Sequence, residues 1–262
     1  MDLHLNGKAA VVTGAGKGIG LAITQGLVAE GALVAAGARH ITTELAGLAV
    51  DGRVHPVTVD LATPDGPAEL IQAAASALGG LDILVNNVGA VRPRTGGFLS
   101  VTDDDWISAL TINFLAAVRT TRAALPFLLD RGAGTIVTVA SVNSWLPDPL
   151  VIDYSAAKAA LLSFSKALSK EVGPHGIRVN TVSPGPVSTP LWLGDGGVAA
   201  TVARATGLEP DEVAKQAAAD SVTGRFTRQD EVADLVLLLA SDRAGNVTGA
   251  DFLIDGGLTT SL

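Results

Sequence analysis

The stretch KAAVVTGAGKGIG, residues 8–20, decides the fold of this chain. Its first half is a short apolar run typical of a buried strand, and its second half is a turn with Gly14, Gly18 and Gly20 ahead of a helical pattern. Small residues at such a turn let the backbone approach a pyrophosphate, and the helix N-terminus offers free N–H groups. The spacing departs from G-x-G-x-x-G because Ile19 stands at the third glycine. A tight turn without a ligand is the alternative, but the position between strand and helix favours nucleotide binding.

Short apolar runs and longer stretches with helical spacing alternate along the whole chain. The near-continuously apolar runs, typical of parallel strands covered on both faces, are residues 8–13, 33–37, 54–59, 83–86, 135–140, 177–182 and 252–254. The helical stretches include residues 19–30, 68–78, 103–129, 154–172 and 230–240. This alternation predicts one α/β domain over residues 1–262, a doubly wound, Rossmann-type parallel sheet with helices on both faces.

One region, after Val182, breaks the alternation. Three prolines, at positions 184, 186 and 190, predict that regular structure does not form there. A long excursion beyond the carboxyl end of a strand is where ligand-covering segments arise in such sheets. We therefore predict a substrate-covering loop over about residues 186–224, with a plain surface insertion as the alternative.

The composition excludes several classes of protein. The chain has 262 residues, 48% of them hydrophobic, and a net charge of −8, so neither disorder nor nucleic-acid binding through a broad basic surface is expected. The absence of cysteine excludes disulfides and thiolate metal sites and permits a reducing cytoplasm, where we expect the protein. Neither a secretory signal nor a membrane helix is expected, since no apolar run approaches the ~20 residues that a span needs. No metal site is expected, because the four histidines are scattered.

The only tyrosine of the chain stands four residues before a lysine, in Tyr154-Ser155-Ala156-Ala157-Lys158. On a helix such a pair shares one face, so the ammonium can lie near the phenol. A neighbouring cation favours the phenolate and brings the phenol pKa towards the range useful for acid–base chemistry. An incidental lysine beside a helix tyrosine is the alternative reading of this pair taken alone.

Further motifs in family order make the chain resemble the short-chain dehydrogenase/reductases from Gly7 to Gly257. The motifs are TGAGKGIG at 13–20, Asp60-Leu61, Asn86-Asn87-Val88-Gly89, Pro184-Gly185 with Thr189, and Asp255-Gly256-Gly257. Val88 departs mildly from the family pattern, which has alanine there. Asn113 and Ser141 stand with Tyr154 and Lys158 where the family has its catalytic tetrad.

The resemblance implies a role for each residue of the tetrad. Tyr154 would exchange a proton with the substrate oxygen, and Lys158 would lower its pKa and hold the nicotinamide ribose. Ser141 would hydrogen-bond the substrate oxygen, and Asn113 would kink its helix and support a water relay. The residues implied in cofactor binding are Gly14, Lys17, Gly18, Ile19, Gly20, Arg39, Asp60, Leu61, Asn87, Gly89, Tyr154, Lys158, Pro184, Gly185, Val187 and Thr189.

The end of the second apolar run indicates which nicotinamide cofactor is used. Members that prefer NAD usually carry an acidic residue there for the ribose 2′-hydroxyl, whereas this chain has Ala38 followed by Arg39. Lys17 lies inside the glycine turn. Two cations without a carboxylate suit a 2′-phosphate, so NADP(H) is favoured over NAD(H), unless both are merely solvated loop charges.

The resemblance, in particular to 3-oxoacyl-carrier-protein reductase-like ketoreductases, implies an enzyme that interconverts a small-molecule ketone and a secondary alcohol. An NAD-dependent sugar or polyol dehydrogenase is one alternative. A non-catalytic, cofactor-binding sensor is another, although an intact tetrad argues against it. The family also implies a homotetramer that assembles through residues 103–129, residues 154–172 and the C-terminal segment.

Three other features each have two interpretations. Asp103-Asp104-Asp105 stands at a helix start, where capping explains it better than a carboxylate site. Arg92 and Arg94 could face an anionic substrate or be solvated loop charges. Trp145 and Trp192 would flank the pocket by family position, although packing would explain them equally well.

Overall fold

A computed structural model of the chain describes residues 2–260, in which seven strands form one parallel sheet in the order β3-β2-β1-β4-β5-β6-β7. The strands are β1 (Ala9–Thr13), β2 (Leu33–Ala38), β3 (Val54–Thr58), β4 (Ile83–Asn86), β5 (Gly134–Val139), β6 (Ile177–Pro184) and β7 (Asp251–Ile254). The helices are α1 (Gly18–Ala29), α2 (Thr43–Leu48), α3 (Gly66–Leu78), α4 (Asp103–Leu110), α5 (Ala116–Arg131), α6 (Ile152–Val172), α7 (Pro190–Leu193), α8 (Val198–Thr206), α9 (Pro210–Ala219) and α10 (Gln229–Ala240).

Two hydrophobic layers enclose the sheet. On one face α1 and α10 pack against it through side chains such as Ile23 and Val236. On the other face α3, α5 and α6 pack through side chains such as Leu70, Leu128 and Leu168. The predicted doubly wound sheet with helices on both faces is therefore confirmed. Within residues 2–260, no helix combines the length and the apolar character needed to cross a bilayer.

The strand order reverses between β1 and β4, which pair directly in parallel. In an open α/β sheet, the crossover connections on either side of such a point leave to opposite faces, and a crevice opens at the carboxyl ends of the strands. The glycine turn after β1 and the Asn86–Gly89 segment after β4 both lie at this crevice. The fold thus places the motifs of the sequence at one edge of the sheet.

The segment predicted as one helix over residues 103–129 is interrupted. A π-helical turn, Thr111–Leu115, separates α4 from α5. The side-chain amide of Asn113 donates a hydrogen bond to the carbonyl of Ala109 at 3.0 Å. That carbonyl would otherwise accept the backbone N–H of residue 113 in an α-helix, so the side chain competes with the regular ladder.

The expectation that the prolines after Val182 forbid regular structure is confirmed for residues 185–189, which lie in no helix or strand, but it is wrong for the chain on either side. Strand β6 continues through Pro184, since β5 ends opposite Val182 and the imide nitrogen of Pro184 faces a side without a strand partner. The covering segment holds α7, α8 and α9, and Pro190 and Pro210 stand in the first turns of two of them. A proline at a helix start loses no intrahelical hydrogen bond, so these prolines begin helices.

Candidate active site

The crevice holds a cavity of about 1310 Å³ that extends from the glycine turn to the covering helices α7–α9. Most of the predicted site residues line it, although they come from widely separated parts of the chain. The lining ones are Gly14, Lys17, Gly18, Ile19, Arg39, Asp60, Leu61, Asn87, Gly89, Ser141, Tyr154, Lys158, Pro184, Gly185, Val187 and Thr189. Gly20 and Asn113 do not line the cavity, and they support the residues that do.

The glycine turn is fastened to the segment after β4 by hydrogen bonds. The Thr13 hydroxyl accepts the backbone N–H groups of Asn87 and Val88 at 2.8 and 3.0 Å. The Asn87 side-chain amide donates to the Thr13 carbonyl at 2.9 Å. A Cβ atom on Gly20 would stand 2.3 Å from the Gly14 carbonyl oxygen, so glycine is required there for this close approach. These contacts fix the turn as a concave cradle that is lined by small residues.

A second turn closes the opposite side of the cradle. The backbone N–H of Gly185 donates to the Ile254 carbonyl at 3.0 Å, and a Cβ on Gly185 would press against Asp255 at 2.9 Å. Thr189 lies across from Gly18, whose added Cβ would be 3.5 Å from the threonine methyl group. The Pro184–Thr189 and 13–20 motifs thus form two facing walls of one cleft.

Two cations line the cavity, one in the glycine turn and one directly after β2. Lys17 and Arg39 are exposed and line the cavity, and neither forms an ion pair with another residue of the range 2–260. Thr42, which the sequence reading missed, donates to the Gly16 carbonyl at 2.8 Å and caps α2 by accepting the Leu45 N–H. In the sequence, Thr42 could have been recognised as the N-cap of a short helix. Its hydrogen bond to Gly16 ties the Arg39 segment to the glycine turn.

Asn113 holds the main chain of the segment after β4. Its amide N–H donates to the Ala90 carbonyl at 2.8 Å, and its Oδ1 accepts the Ala90 N–H at 2.9 Å. A Cβ on Gly89 would stand 3.0 Å from Asn113 Oδ1 and 3.6 Å from Lys158 Nζ. Asn113 therefore supports the segment opposite Lys158, and a side chain at position 89 would crowd the Asn113 amide.

Lys158 and Tyr154 lie one turn apart on α6 and face the cavity together. The Lys158 ammonium donates to the Val139 carbonyl at 2.9 Å and lies 5.6 Å from the centre of the Tyr154 ring. Burial lowers the pKa of Lys158 to about 8. Burial also raises the pKa of Tyr154, and the nearby Ser141 hydroxyl acts in the opposite direction. The expected lowering of the phenol pKa by Lys158 is therefore not found, since burial dominates and the opposing contribution comes from Ser141.

Ser141 lies at the end of β5, where its side chain reaches the same cavity. Its hydroxyl accepts the Asn143 N–H at 3.2 Å and donates to Asn143 Oδ1 at 3.2 Å, which fixes the turn Val142–Ser144. The hydroxyl, the phenol and the ammonium converge, and this arrangement can transfer a proton to an oxygen atom held between Ser141 and Tyr154.

Arg94 binds two carboxylates of the protein and is not available to an anionic substrate, which corrects that reading. Its guanidinium donates to Asp153, of which 2% is exposed, and to Asp105 at 2.8 Å. Its backbone N–H donates to the Leu150 carbonyl at 2.6 Å. Asp105 also forms a capping box with Thr102, as the cap interpretation predicts. Arg94 thus ties the loop after β4 to the first turns of α4 and α6.

Replacing Arg94 by methionine is expected to lower the free energy of unfolding by about 3 kcal/mol, because Asp153 stays buried without its cation. Urea unfolding monitored by circular dichroism measures this loss. The matched control is Arg228→Met, which breaks an ion pair with Asp230 in which both side chains are more than half exposed and should not change the midpoint. An Arg94→Met variant that unfolds at the same urea concentration as the unmodified chain would show that Asp153 does not depend on Arg94.

The two tryptophans differ in their positions. Trp192 lines the cavity and packs edge-on against Phe226, with 5.3 Å between ring centres. Trp145 does not line the cavity, although its neighbour Leu146 does. Its indole N–H donates to Asp251 Oδ2 at 2.7 Å, which directs the ring towards the start of β7.

Among residues 2–260, no cluster of three or more histidine, aspartate or glutamate side chains could bind a metal ion. The cavity instead fits an elongated dinucleotide. It offers a cradle of small residues at a helix N-terminus, cations at one end and a buried tyrosine–lysine pair further along.

Comparison with known proteins agrees with this geometry. The family described as Enoyl-(Acyl carrier protein) reductase matches residues 14–259. The chain is 32% identical to the 3-oxoacyl-acyl-carrier-protein reductase FabG of Thermotoga maritima over 98% of this chain and 99% of the relative. It is 36% identical to D-threitol dehydrogenase of Mycolicibacterium smegmatis over 98% and 95%. The structure of L-sorbose reductase from Gluconobacter frateurii with NADPH and L-sorbose superposes with a TM-score of 0.91, at 34% identity and full coverage of both chains.

Proposed function

This chain belongs to the short-chain dehydrogenase/reductase family, and from that premise we propose that it is an NADP(H)-dependent oxidoreductase that interconverts a ketone and a secondary alcohol. Family membership makes it an oxidoreductase of CH–OH or carbonyl groups. The single observation that carries the finer proposal is the convergence of Tyr154, Lys158 and Ser141 on one cavity whose other end is a glycine cradle.

In the proposed mechanism, Tyr154 donates its phenolic proton to the carbonyl oxygen during reduction and takes it back during oxidation. Burial raises the pKa of Tyr154, which keeps the phenol protonated at neutral pH and suits the acid role. Ser141 hydrogen-bonds the same oxygen and stabilises the charge that develops on it. A bound nicotinamide supplies the hydride for reduction or accepts it in oxidation.

Lys158 and Asn113 support the proton donor. The Lys158 ammonium is anchored to the Val139 carbonyl and can also reach a ribose hydroxyl from the wall of the cavity. Asn113 holds Ala90, and with it Gly89, against Lys158. The glycine-turn residues Gly14 and Gly18 would bind the pyrophosphate, and Asp60 with Leu61 would bind the adenine. The turn Pro184-Gly185 with Thr189 would hold the nicotinamide.

The charge at the end of β2 supports NADP(H) over NAD(H). Arg39 and Lys17 are exposed cations without a protein partner among the described residues, and Ala38 offers no carboxylate to the ribose. An arginine fork matches a 2′-phosphate, since it can donate two hydrogen bonds to it. The NADPH in the complex of L-sorbose reductase, a structural relative of this chain, is in keeping with this preference.

The Arg39→Ala variant is expected to weaken NADPH binding at least about tenfold, because a charge-assisted contact to the 2′-phosphate is lost, and to change NADH binding less than about twofold. Titration of the protein with each nucleotide, followed by nicotinamide fluorescence, gives both dissociation constants. Arg53→Ala serves as the control, because Arg53 is exposed and lies outside the cavity. Equal losses for NADPH and NADH would show that Arg39 does not bind the 2′-phosphate.

The proposed activity is tested by measuring oxidation of NADPH and NADH in parallel with aliphatic, aromatic, thioester and sugar ketones. We expect turnover that is faster with NADPH. If the protein binds nucleotide yet no ketone or alcohol of the panel reacts in either direction, the non-catalytic sensor becomes the better account.

Assembly and location stay predictions. A homotetramer would use the surfaces of α4, α5 and α6 and the C-terminal segment. Ile107 on α4 is 62% exposed, and Leu99 in the turn before α4 is 97% exposed, so both are available to a second copy. A cytoplasmic location is compatible with the complete absence of cysteine.

A further inference from the structure

The part of the cavity beyond Tyr154, which we call the substrate wall, is lined mainly by apolar side chains from four separate segments. These are the loop after β5, helix α7, helices α8 and α9, and the chain after β7. Six of the apolar residues are Leu146, Leu150, Trp192, Val202, Val213 and Leu258. Leu146 is 48% exposed although it borders a cavity, so a large apolar surface is left uncovered there. Exposed apolar surface in a cleft marks the place where an apolar ligand binds.

The charged side chains of the substrate wall do not favour a substrate that carries a carboxylate. Arg94 is neutralised by Asp105 and Asp153, as described above. Within the described residues, the other arginine of this wall is Arg92, which is exposed. The exposed carboxylates of Asp148 and Asp220 also line the wall, so negative charge exceeds free positive charge there. An anionic substrate would meet two carboxylates and one free cation there, so the net charge of the wall disfavours it.

The wall also has few uncharged side chains that could hydrogen-bond a polyhydroxylated substrate. Asn143 lines it, but its Oδ1 accepts the Ser141 hydroxyl and its amide donates to the Leu146 carbonyl at 3.3 Å. The side chain of Gln216, on α9, is exposed to solvent. Each hydroxyl of a sugar that enters an apolar pocket without a partner loses its hydrogen bonds to water.

From these three observations we propose that the substrate is an uncharged ketone with an apolar body, and not a keto acid or a sugar ketone. This inference rests on the proposed function, since it assigns the substrate class of the same site. The carbonyl would lie between Ser141 and Tyr154, and the apolar body would extend towards Leu150 and Trp192. A neutral β-keto thioester falls within this class, because its acyl part is apolar.

The test compares three ketones with the unmodified enzyme and NADPH. 2-Heptanone and 6-oxoheptanoate share a seven-carbon chain, but the second ends in a carboxylate, and L-sorbose represents the sugar ketones. We expect kcat/KM for 2-heptanone to exceed the other two values by at least about 100-fold. Faster reduction of the keto acid or of L-sorbose overturns the substrate class but leaves the oxidoreductase proposal intact. Turnover of none of the three, nor of the corresponding alcohols, overturns the substrate class, and the wider ketone panel described above then decides the oxidoreductase proposal.

A variant of the wall tests its charge directly. Val213→Arg places a cation on the apolar side of the cavity and should raise the ratio of kcat/KM for 6-oxoheptanoate to that for 2-heptanone by at least about tenfold. The affinity for NADPH is measured in parallel and should not change. Val50→Arg is the matched control, because Val50 is 87% exposed and lies outside the cavity, so the ratio should stay the same. An unchanged ratio in a folded, NADPH-binding Val213→Arg protein argues against the assigned wall.

Discussion

Replacing Tyr154 by phenylalanine is expected to lower kcat by about 1000-fold and to leave the dissociation constant for NADPH within about twofold. The variant keeps the ring, and with it the packing against Lys158, but removes the hydroxyl that donates the proton. Ser141 does not replace it, because an aliphatic hydroxyl is a far weaker acid than a phenol. Steady-state kinetics and a fluorescence titration with NADPH separate the two effects.

The control for this variant is Ser165→Ala. Ser165 lies on the same helix, its buried hydroxyl has no hydrogen-bond partner among the described residues, and it does not line the cavity. Its removal should leave kcat unchanged. Near-normal turnover by Tyr154→Phe would contradict the assignment of the proton donor, whereas equal losses in both variants would point to damage to the helix.

Replacing Lys158 by methionine is expected to remove activity and to stabilise the fold at the same time. The lysine is 3% exposed, and burial lowers its pKa from 10.5 to about 8, so the folded protein carries a charge that it solvates poorly. Loss of this desolvation cost, less the lost hydrogen bond to Val139, should raise the free energy of unfolding at pH 7 by about 2 kcal/mol. Turnover should fall by at least about 100-fold, because the ammonium beside Tyr154 is gone.

The stability gain should depend on pH in one direction. Below pH 8 both the folded and the unfolded chain are protonated at Lys158, and the cost of the buried charge is fully present. Between pH 8 and 10.5 only the unfolded chain keeps the proton, so the unmodified protein gains stability as the pH rises. The difference between Lys158→Met and the unmodified chain should therefore shrink from pH 7 to pH 10 in urea unfolding.

Lys166→Met is the matched control. Lys166 lies two turns further along α6 and also donates to a backbone carbonyl, that of Gly249 at 2.7 Å, but the side chain is exposed. Its replacement should change neither turnover nor the pH dependence of stability. A Lys158→Met protein that is less stable than the unmodified chain at pH 7 would show that the hydrogen bond to Val139 outweighs the cost of burial.

The sequence predicted the sheet well because each buried parallel strand is a nearly continuous apolar run. All seven runs are strands, and the glycine turn at 14–20 lies at the predicted crevice. The glycine turn could be predicted because the backbone at Gly20 approaches that of Gly14 too closely for a side chain. The need for glycine at this position is therefore visible in the sequence itself. The Tyr154–Lys158 pair was equally accessible because helix periodicity alone places both residues on one face.

Features that depend on contacts between distant segments could not be predicted from the sequence in this way. No local pattern shows that Arg94 is held by Asp105 and Asp153, or that Trp145 turns towards Asp251. The short helix α2 has too few residues for a periodic signal. In the covering segment, the prolines were interpreted as breakers, although a proline at the first turn of a helix is compatible with it.

The central claim, that this protein transfers hydride between NADPH and a carbonyl carbon with Tyr154 as the proton donor, is tested most directly by following the hydride. NADPH that carries deuterium at both C4 positions of the nicotinamide is incubated with the enzyme and the ketone of the panel that reacts fastest, and the alcohol is analysed by mass spectrometry. The account predicts one deuterium at the carbinol carbon with the unmodified enzyme and almost none with Tyr154→Phe in the same time. Alcohol without deuterium, or equal labelling by the two proteins, would contradict it.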